Sequence, residues 1–556
     1  MKKAGQGLFL TVVFLGVMAL LIPTYSAAFP TIKLGEETEV TFYGWLRNNT
    51  GMFLQNPQPF SQSGNDLATE RTWLRGYTDF KITNQLRFWS AIQFAYEPQY
   101  KVEHGALTSR FQDGGPILKD GKEYSEYKDI DDILRECYLE WKPAKEHSIK
   151  IGRQIAIWGE ALTTRVGDVI HPEDQRYSLA FSNLEDTRIP SWMVRGIHSI
   201  PSIDSSFEWI VNPNLVQDKY RVNRLASIAN NTKEGEPGQR FGLFPETRFD
   251  PPHSVGNIFA AFLDPSLAAF ANPKVVIANP LSRGWAPFDP DGPGPLPLGW
   301  YPTEIPSVRE RFPGMWSGLR GGFRTNTTLS GWNFGFTYFH TQEYNPVVKR
   351  GGIIDPGIPP FVPPTREYTL VHPNKDIIGA YLNKQLPWSG VLRAEAIYIP
   401  NQPYNTFDTR DFDAVVRRDY VKYMVAYDLN SFFYFQWHKT APFDITFEHV
   451  GEVIPKNKNV QYIVYSSEMP QWNPAFNMRI STNWLYNLIS TELVVGYMPW
   501  GRSGLIMPAV KYMPPWLNKK LSFELKYINI FGKNDFQGLG ILRKKDMVLL
   551  TSQFDW

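Results

Sequence analysis

Beyond Ile22 the chain contains no run of about 18 apolar residues, the length that a membrane-crossing helix requires. Many segments of about ten residues instead alternate apolar and polar side chains with period two. In 86–96 one parity reads Leu86, Phe88, Ser90, Ile92, Phe94 and Tyr96, and the other Arg87, Trp89, Ala91, Gln93 and Ala95. The same alternation runs through 332–338, 421–428 and 521–527. A bilayer offers backbone N–H and C=O groups no partner, so a chain that enters it without helices must close its strands into a barrel.

A soluble half-buried sheet shows the same alternation strand by strand, and the connections separate the two readings. Long stretches at 49–71, 98–132, 158–190, 214–315 and 343–375 alternate with short turns at 83–85, 143–146, 201–204, 327–331 and 387–390. Long extracellular loops and short periplasmic turns are the layout of an outer-membrane barrel. The chain is therefore expected to be an all-β, transmembrane antiparallel β-barrel with both termini in the periplasm. An even strand number follows, about 18, with 16 the nearest alternative. The least regular stretch is 429–442, where Phe432 to His438 fit either a strand or an elaborate turn.

The two chain ends agree with this address. Lys2 and Lys3 precede an apolar stretch from Leu8 to Ile22, and Ser26-Ala27-Ala28 supplies small residues for cleavage. Residues 1–28 thus read as a signal peptide and 29–556 as the barrel. No cysteine follows the apolar stretch, which argues against a lipoprotein anchor. Val548, Leu550, Ser552, Phe554 and Trp556 share one parity. A strand that stops on an aromatic resembles the C-terminal signal read by barrel-assembly machinery. That machinery, outer-membrane lipid, lipopolysaccharide and a small-molecule solute are the expected partners.

Composition excludes several other classes. Lys and Arg total 57 against 55 Asp and Glu, a net charge of +2, which gives no general electrostatic case for nucleic acid. Aromatic residues make up 15% of the chain, which suits a protein with two membrane–water interfaces. The single cysteine, Cys137, rules out intrachain disulfides and clustered-thiolate metal sites. No cofactor is expected. Neither a Gly-x-Ser-x-Gly elbow nor a His-Glu-x-x-His pair occurs, and no enzyme is expected, although His340 and Glu448-His449 fall in predicted strands. Asp129, Asp131 and Asp132 lack EF-hand spacing and read as a solvated acidic turn.

The functional chemistry concentrates after the fifth predicted strand. The segment Ile151 to Ala161 contains Gly152-Arg153-Gln154 and Trp158-Gly159-Glu160, and continues to Gly167-Asp168-Val169-Ile170-His171-Pro172-Glu173-Asp174. With Glu185 to Trp192 it resembles the signature region of the bacterial family numbered 1302 among domains of unknown function. The resemblance implies an outer-membrane barrel associated with uptake or export of hydrophobic compounds, and no agreed reaction. Read from its residues alone, the loop carries mixed charge: Glu160, Arg165, Asp168, Glu173, Asp174 and Arg176. Folded into the lumen, such a loop sets up a transverse field that selects solutes. Arg153, Gln154, Trp158, Glu160, Arg165, Asp168 and Asp174 are the candidates for constricting the pore or pinning the loop. Arg153 shares parity with the lipid-facing Ile149, Ile151, Ile155 and Ile157; a bulge before Trp158 would turn it inward, where it could pair with Glu160.

The stretch 214–315 is rich in Pro and Gly and cannot be strand; 258–262 and 267–270 read as short apolar helices that plug the lumen or cap the rim. The expected function is a passive porin-like channel for small solutes, hydrophobic or aromatic ones included. The alternative is a non-conducting scaffold for a partner such as a cytochrome or an efflux component.

Overall fold

In a computed structural model of the protein, the described residues are 31–54, 67–96, 133–172, 184–213, 305–311, 318–344, 347–354, 365–387, 390–405, 415–433, 441–457, 470–515, 519–533 and 546–556. The strands, in chain order, are β1 (Ile32–Lys33), β2 (Glu39–Phe53), β3 (Leu67–Lys81), β4 (Leu86–Tyr96), β5 (Leu134–Ala144), β6 (His147–Gln154), β7 (Ser191–Ile200), β8 (Ser205–Asn212), β9 (Ile305–Arg311), β10 (Arg320–Leu329) and β11 (Trp332–Gln342). They continue as β12 (Val347–Ile354), β13 (Thr365–Val371), β14 (Asn374–Leu386), β15 (Gly390–Asn405), β16 (Val415–Ser431), β17 (Phe443–Val453), β18 (Trp472–Trp484), β19 (Ile489–Met498), β20 (Ser503–Tyr512), β21 (Leu521–Phe531) and β22 (Met547–Asp555).

All except β1, β9, β12 and β13 form one closed, antiparallel ring of 18 strands, the number expected from the alternation. Closure is made by β2 pairing with β22, from Trp45 opposite Asp555 to Phe53 opposite Met547. Beyond the last strand residue, the Trp556 N–H donates to the Gly44 carbonyl at 3.0 Å, and the Trp556 ring lies over Gly44, where a Cβ would collide with it. β1 adds only two pairs at the start of β2.

Parity fixes what each face meets. Leu74, Phe94, Leu139, Phe336 and Phe447 point outward and are exposed. An apolar belt of this extent would be a liability in water and is the expected surface toward lipid. The opposite parity carries the charged and small residues into the lumen. The hairpin between β10 and β11 shows why its turn is short: Ser330 and Gly331 both have positive φ (51° and 71°), as a two-residue turn matching strand twist demands.

The long connections gather at one end of the ring and the short ones at the other, with two departures. Pro499–Arg502 is a tight turn at the long-loop end. At the short-turn end, β16 stops at Ser431 and β17 begins at Phe443, and most of the irregular stretch between them, 434–440, lies outside the described residues. A feature absent from the sequence reading is a separate three-stranded sheet, in which β13 pairs antiparallel with β12 and parallel with β9. Residues 1–30, the acidic 129–132 and the apolar segments 258–262 and 267–270 lie outside the described residues.

Candidate functional site: a loop anchored across the lumen

After β6 the chain leaves the ladder, and residues 155–172 run inside the barrel as irregular backbone. Irregular backbone withdrawn from water needs acceptors for its N–H groups. Lumen-facing side chains supply them. The Ile155 N–H donates to Glu136 Oε1 on β5 (3.0 Å), and Ala156 N–H to His171 Nε2 (2.8 Å). Glu160 N–H donates to Glu395 Oε2 on β15 (3.1 Å). Glu448 on β17 accepts from Leu162 N–H (2.8 Å), from Thr163 N–H (3.1 Å) and from the Thr163 hydroxyl. Each glutamate side chain offers two acceptor oxygens, so a few of them suffice to hold the loop.

Their charge is balanced on the wall. Arg393 on β15 pairs with Asp428 on β16 (Nη2–Oδ1 3.0 Å), reaches Glu448 Oε1 (3.5 Å) and donates to the Glu160 carbonyl. Arg324 on β10 pairs with Glu160 Oε1 at 3.0 Å, and Asn383 on β14 donates to the other oxygen (3.3 Å).

Apolar packing supplies the second attachment. Ala156, Trp158, Val166 and Ile170 from the loop join Ile210, Phe339, Ile377, Ile397, Met424 and Val450 from the wall in one buried cluster inside the barrel. Trp158 is 1% exposed, stands edge-on to Phe339 with centroids 5.8 Å apart, and donates from Nε1 to Glu208 Oε1 on β8 (2.7 Å). Burying a side chain of this size contributes about 3 kcal/mol or more.

The return leg reaches the other side. The short helix α1 (Leu184–Thr187) places Asp186 between Arg47 on β2 (3.0 Å) and Arg75 on β3 (2.7 Å). Counted round the ring, β14 is the strand farthest from β2. The loop is thus tied to both sides of the bore. Burial alone would raise the Asp186 pKa, but the Arg75, Arg47 and Arg135 guanidinium groups outweigh it and hold the carboxyl below its usual range.

The candidate residues divide accordingly. Trp158, Glu160, Arg165 and Asp168 are brought together in the lumen. Asp168 pairs with Arg165 (3.2 Å) and with Arg188 (2.7 Å). Gln154 pins the strand end by donating to the Met193 carbonyl (3.2 Å). Arg153 stays on the outward parity, opposite Cys137 and Trp192, and is 3% exposed there. The inward turn comes only after β6, so Glu160 takes Arg324 as its partner instead of Arg153. Asp174 lies outside the described residues, as do Glu173 and Arg176. The sequence reading missed Glu208, Arg324, Asn383, Arg393 and Glu395, and saw Glu448 only as half of a Glu-His pair.

The free side of the loop bounds a cavity of about 680 Å³ whose lining includes Glu136, Glu160, Asp168, Glu185, Arg165, Arg188 and Arg393. Ile157 (44% exposed) and Leu162 (54%) face the same space. A passing solute therefore meets both signs of charge and two bare apolar side chains. Among the described residues, no group of three or more His, Cys, Asp or Glu is placed to hold a metal ion.

His171 joins the two legs. Its Nε2 accepts from Ala156 N–H while Nδ1 lies 3.1 Å from the Ile189 carbonyl, which fixes the neutral, Nδ1-protonated tautomer. Burial first, then Arg165, Arg320 and Arg188, depress its pKa well below the usual 6.5. Loop docking is then at full strength above pH 6.5 and weakens as the pH falls below it, because the undocked form gains the proton. Acidification to about pH 5 is expected to increase current fluctuations and loop proteolysis, and His171→Gln to flatten that dependence. A wild-type loop equally protected at both pH values would remove His171 from this role.

A closed 18-stranded ring with an apolar outer face and a loop fixed across its bore defines a porin-like barrel of the outer membrane. The chain belongs to the protein family of unknown function DUF1302, whose model matches residues 10–554. No curated protein sequence matches the chain. Among solved structures it is similar to Salmonella typhi OmpF in complex with daunomycin, at 8% identity over 95% of this chain and 100% of that one, TM-score 0.38. It is also similar to Acinetobacter baumannii OccAB4 (7% identity, 94% and 100% covered, TM-score 0.43) and to the outer-membrane channel DcaP of the same organism (8%, 94% and 99%, TM-score 0.36).

Proposed function

We propose that the protein is a passive outer-membrane channel for small solutes that carry an apolar or aromatic face. The observation that carries this reading is the loop of 155–190, held by buried wall carboxylates on one side and by Arg47 and Arg75 on the other. It narrows the bore and presents Ile157 and Leu162 beside paired charges. A bore that already holds its own loop disfavours the alternative, a sheath around a protein partner. Export with removal of residues 1–28 is part of the same reading. Recognition of β22 and Trp556 by the assembly machinery is another part, supported by the way Trp556 closes the seam on Gly44. Contact with lipid and lipopolysaccharide follows from the location.

Planar-bilayer recording of the refolded mature protein tests the proposal. Stable unitary currents are expected, with Glu160→Ala changing ion selectivity. A folded barrel that passes no current would overturn the channel reading.

A further inference from the structure

One part of the lumen wall carries rings that neither the lipid nor the loop explains. Tyr43 on β2, Tyr77 on β3, Trp89 on β4 and Tyr138 on β5 all have inward parity, on four neighbouring strands. Tyr43 pairs with Tyr77 across the ladder, and the rings stack at 4.9 Å with an 18° tilt. Trp89 lies 5.8 Å from Tyr77 and 6.0 Å from Tyr43, and is paired with Tyr138. Elsewhere among the described residues, an inward aromatic such as Phe339 is buried under the loop. Here Tyr43 remains 37% exposed, and Tyr77, Trp89 and Tyr138 are half-buried.

The neighbouring rings one level nearer the loop show the contrast. Trp45 is covered by the guanidinium groups of Arg47 (4.3 Å) and Arg75 (4.6 Å), and Arg71 lies over Trp73 (5.3 Å). Those faces are taken by cations. One level below, Arg87 lies over Trp89 (5.5 Å) and Lys150 over Tyr138 (4.9 Å), whereas Tyr43 and Tyr77 stack on each other.

Next to these rings, toward the short turns, is a cavity of about 260 Å³. Its charged lining is Glu39, Asp79 and Glu140 against Lys81, Arg87 and Lys142, which balance, with Thr41, Asn84 and Gln85 adding neutral groups. Asp79 and Arg87 are locked in a two-pronged pair (2.6 and 2.5 Å), and Ser148 holds Glu140 (2.9 Å). Balanced charge gives no field to draw in an ion of either sign. It does give a fixed set of strong donors and acceptors beside flat apolar faces.

We propose that this wall is a binding surface for a neutral, polyhydroxylated ring, that is, a sugar. One C–H face of the sugar would stack on Tyr43, Tyr77 and Trp89, while its hydroxyl groups bond to Asp79, Arg87 and Glu140. A bare aromatic hydrocarbon would strip water from those ion pairs and return nothing. An aromatic carboxylate would have to compete for cations already engaged, Arg87 by Asp79 and Lys142 by Glu140 (3.4 Å). The inference rests on the channel reading for its route of access and names one solute class with an apolar face.

Isothermal titration of the full-length, detergent-solubilised protein with maltotriose, run beside bilayer recording, tests it. Millimolar-range binding is expected, accompanied by current block, and Trp89→Ala should weaken both about ten-fold with unitary conductance retained. Should Trp89→Ala fail to refold, Tyr43→Leu carries the same expectation. No heat with maltotriose, an affinity unchanged in the folded variant, or tighter competing binding of benzoate would each overturn the sugar assignment. Conduction without sugar binding refutes this inference and leaves the channel; sugar binding without conduction does the reverse.

Discussion

Glu448→Ala is expected to free the lumen loop and raise the unitary conductance, with noisier open-channel current. The side chain has no exposed surface, accepts two loop N–H groups and the Thr163 hydroxyl, and lies 3.5 Å from Arg393. Its removal leaves the N–H groups of Leu162 and Thr163 without that acceptor and Arg393 with Asp428 as its remaining wall carboxylate. Removing one partner of a buried charge pair costs about 3–5 kcal/mol, enough to change the docked-to-free ratio by about a thousand-fold. Glu448→Gln keeps the shape and one acceptor, so its effect should be smaller. Wild-type conductance and noise in folded Glu448→Ala would show that this carboxylate does not hold the loop.

Trp158→Ala attacks the same loop through packing. The ring is fully buried against Phe339 and the wall cluster, and loss of such a side chain costs about 3–5 kcal/mol. Glu208 keeps Arg195 at 2.8 Å when the indole N–H is gone, so no carboxylate is orphaned. The loss is therefore one of contact. Trp158→Phe should retain most of the docking and give up about 1 kcal/mol for the missing hydrogen bond. Limited proteolysis of the folded barrel, read as cleavage within 155–190, should rank the three proteins alanine, phenylalanine, wild type from fastest to slowest. Equal rates would refute the packing account.

The barrel was legible because parity is a local property: Leu86 to Tyr96 declares both faces without reference to any other strand. The loop was legible for a similar reason, since Trp158, Glu160, Arg165 and Asp168 fall close together in the chain. Its wall partners were not. Glu395 sits between Ala394 and Ala396, and Glu448 beside His449, in strands that look like any other lumen-facing strand. Only the ring brings them opposite residues hundreds of positions earlier. The one available signal was a carboxylate on the inward parity facing no basic residue across the ladder: Glu395 is paired with Tyr381 and Met424, and Glu448 with Ala426 and Asn477. Arg153 shows the limit of parity: it follows the outward register of the ladder, opposite Cys137 and Trp192, yet is 3% exposed. The sheet of β9, β12 and β13 escaped because its parallel pair joins segments some sixty positions apart, with no tight turn to mark it.

The spacing of the loop anchors also sets an order of events during biogenesis. Glu160 meets Glu395 across 235 positions, Leu162 meets Glu448 across 286, and Asn477 meets Thr163 across 314. Contacts so remote in sequence form late, after the intervening chain has been organised. The narrowing of the bore therefore has to wait for β15, β17 and β18 to take their places. The loop can therefore be fastened only in a chain that has already set most of its wall, with β19 to β22 left to close the ring on β2.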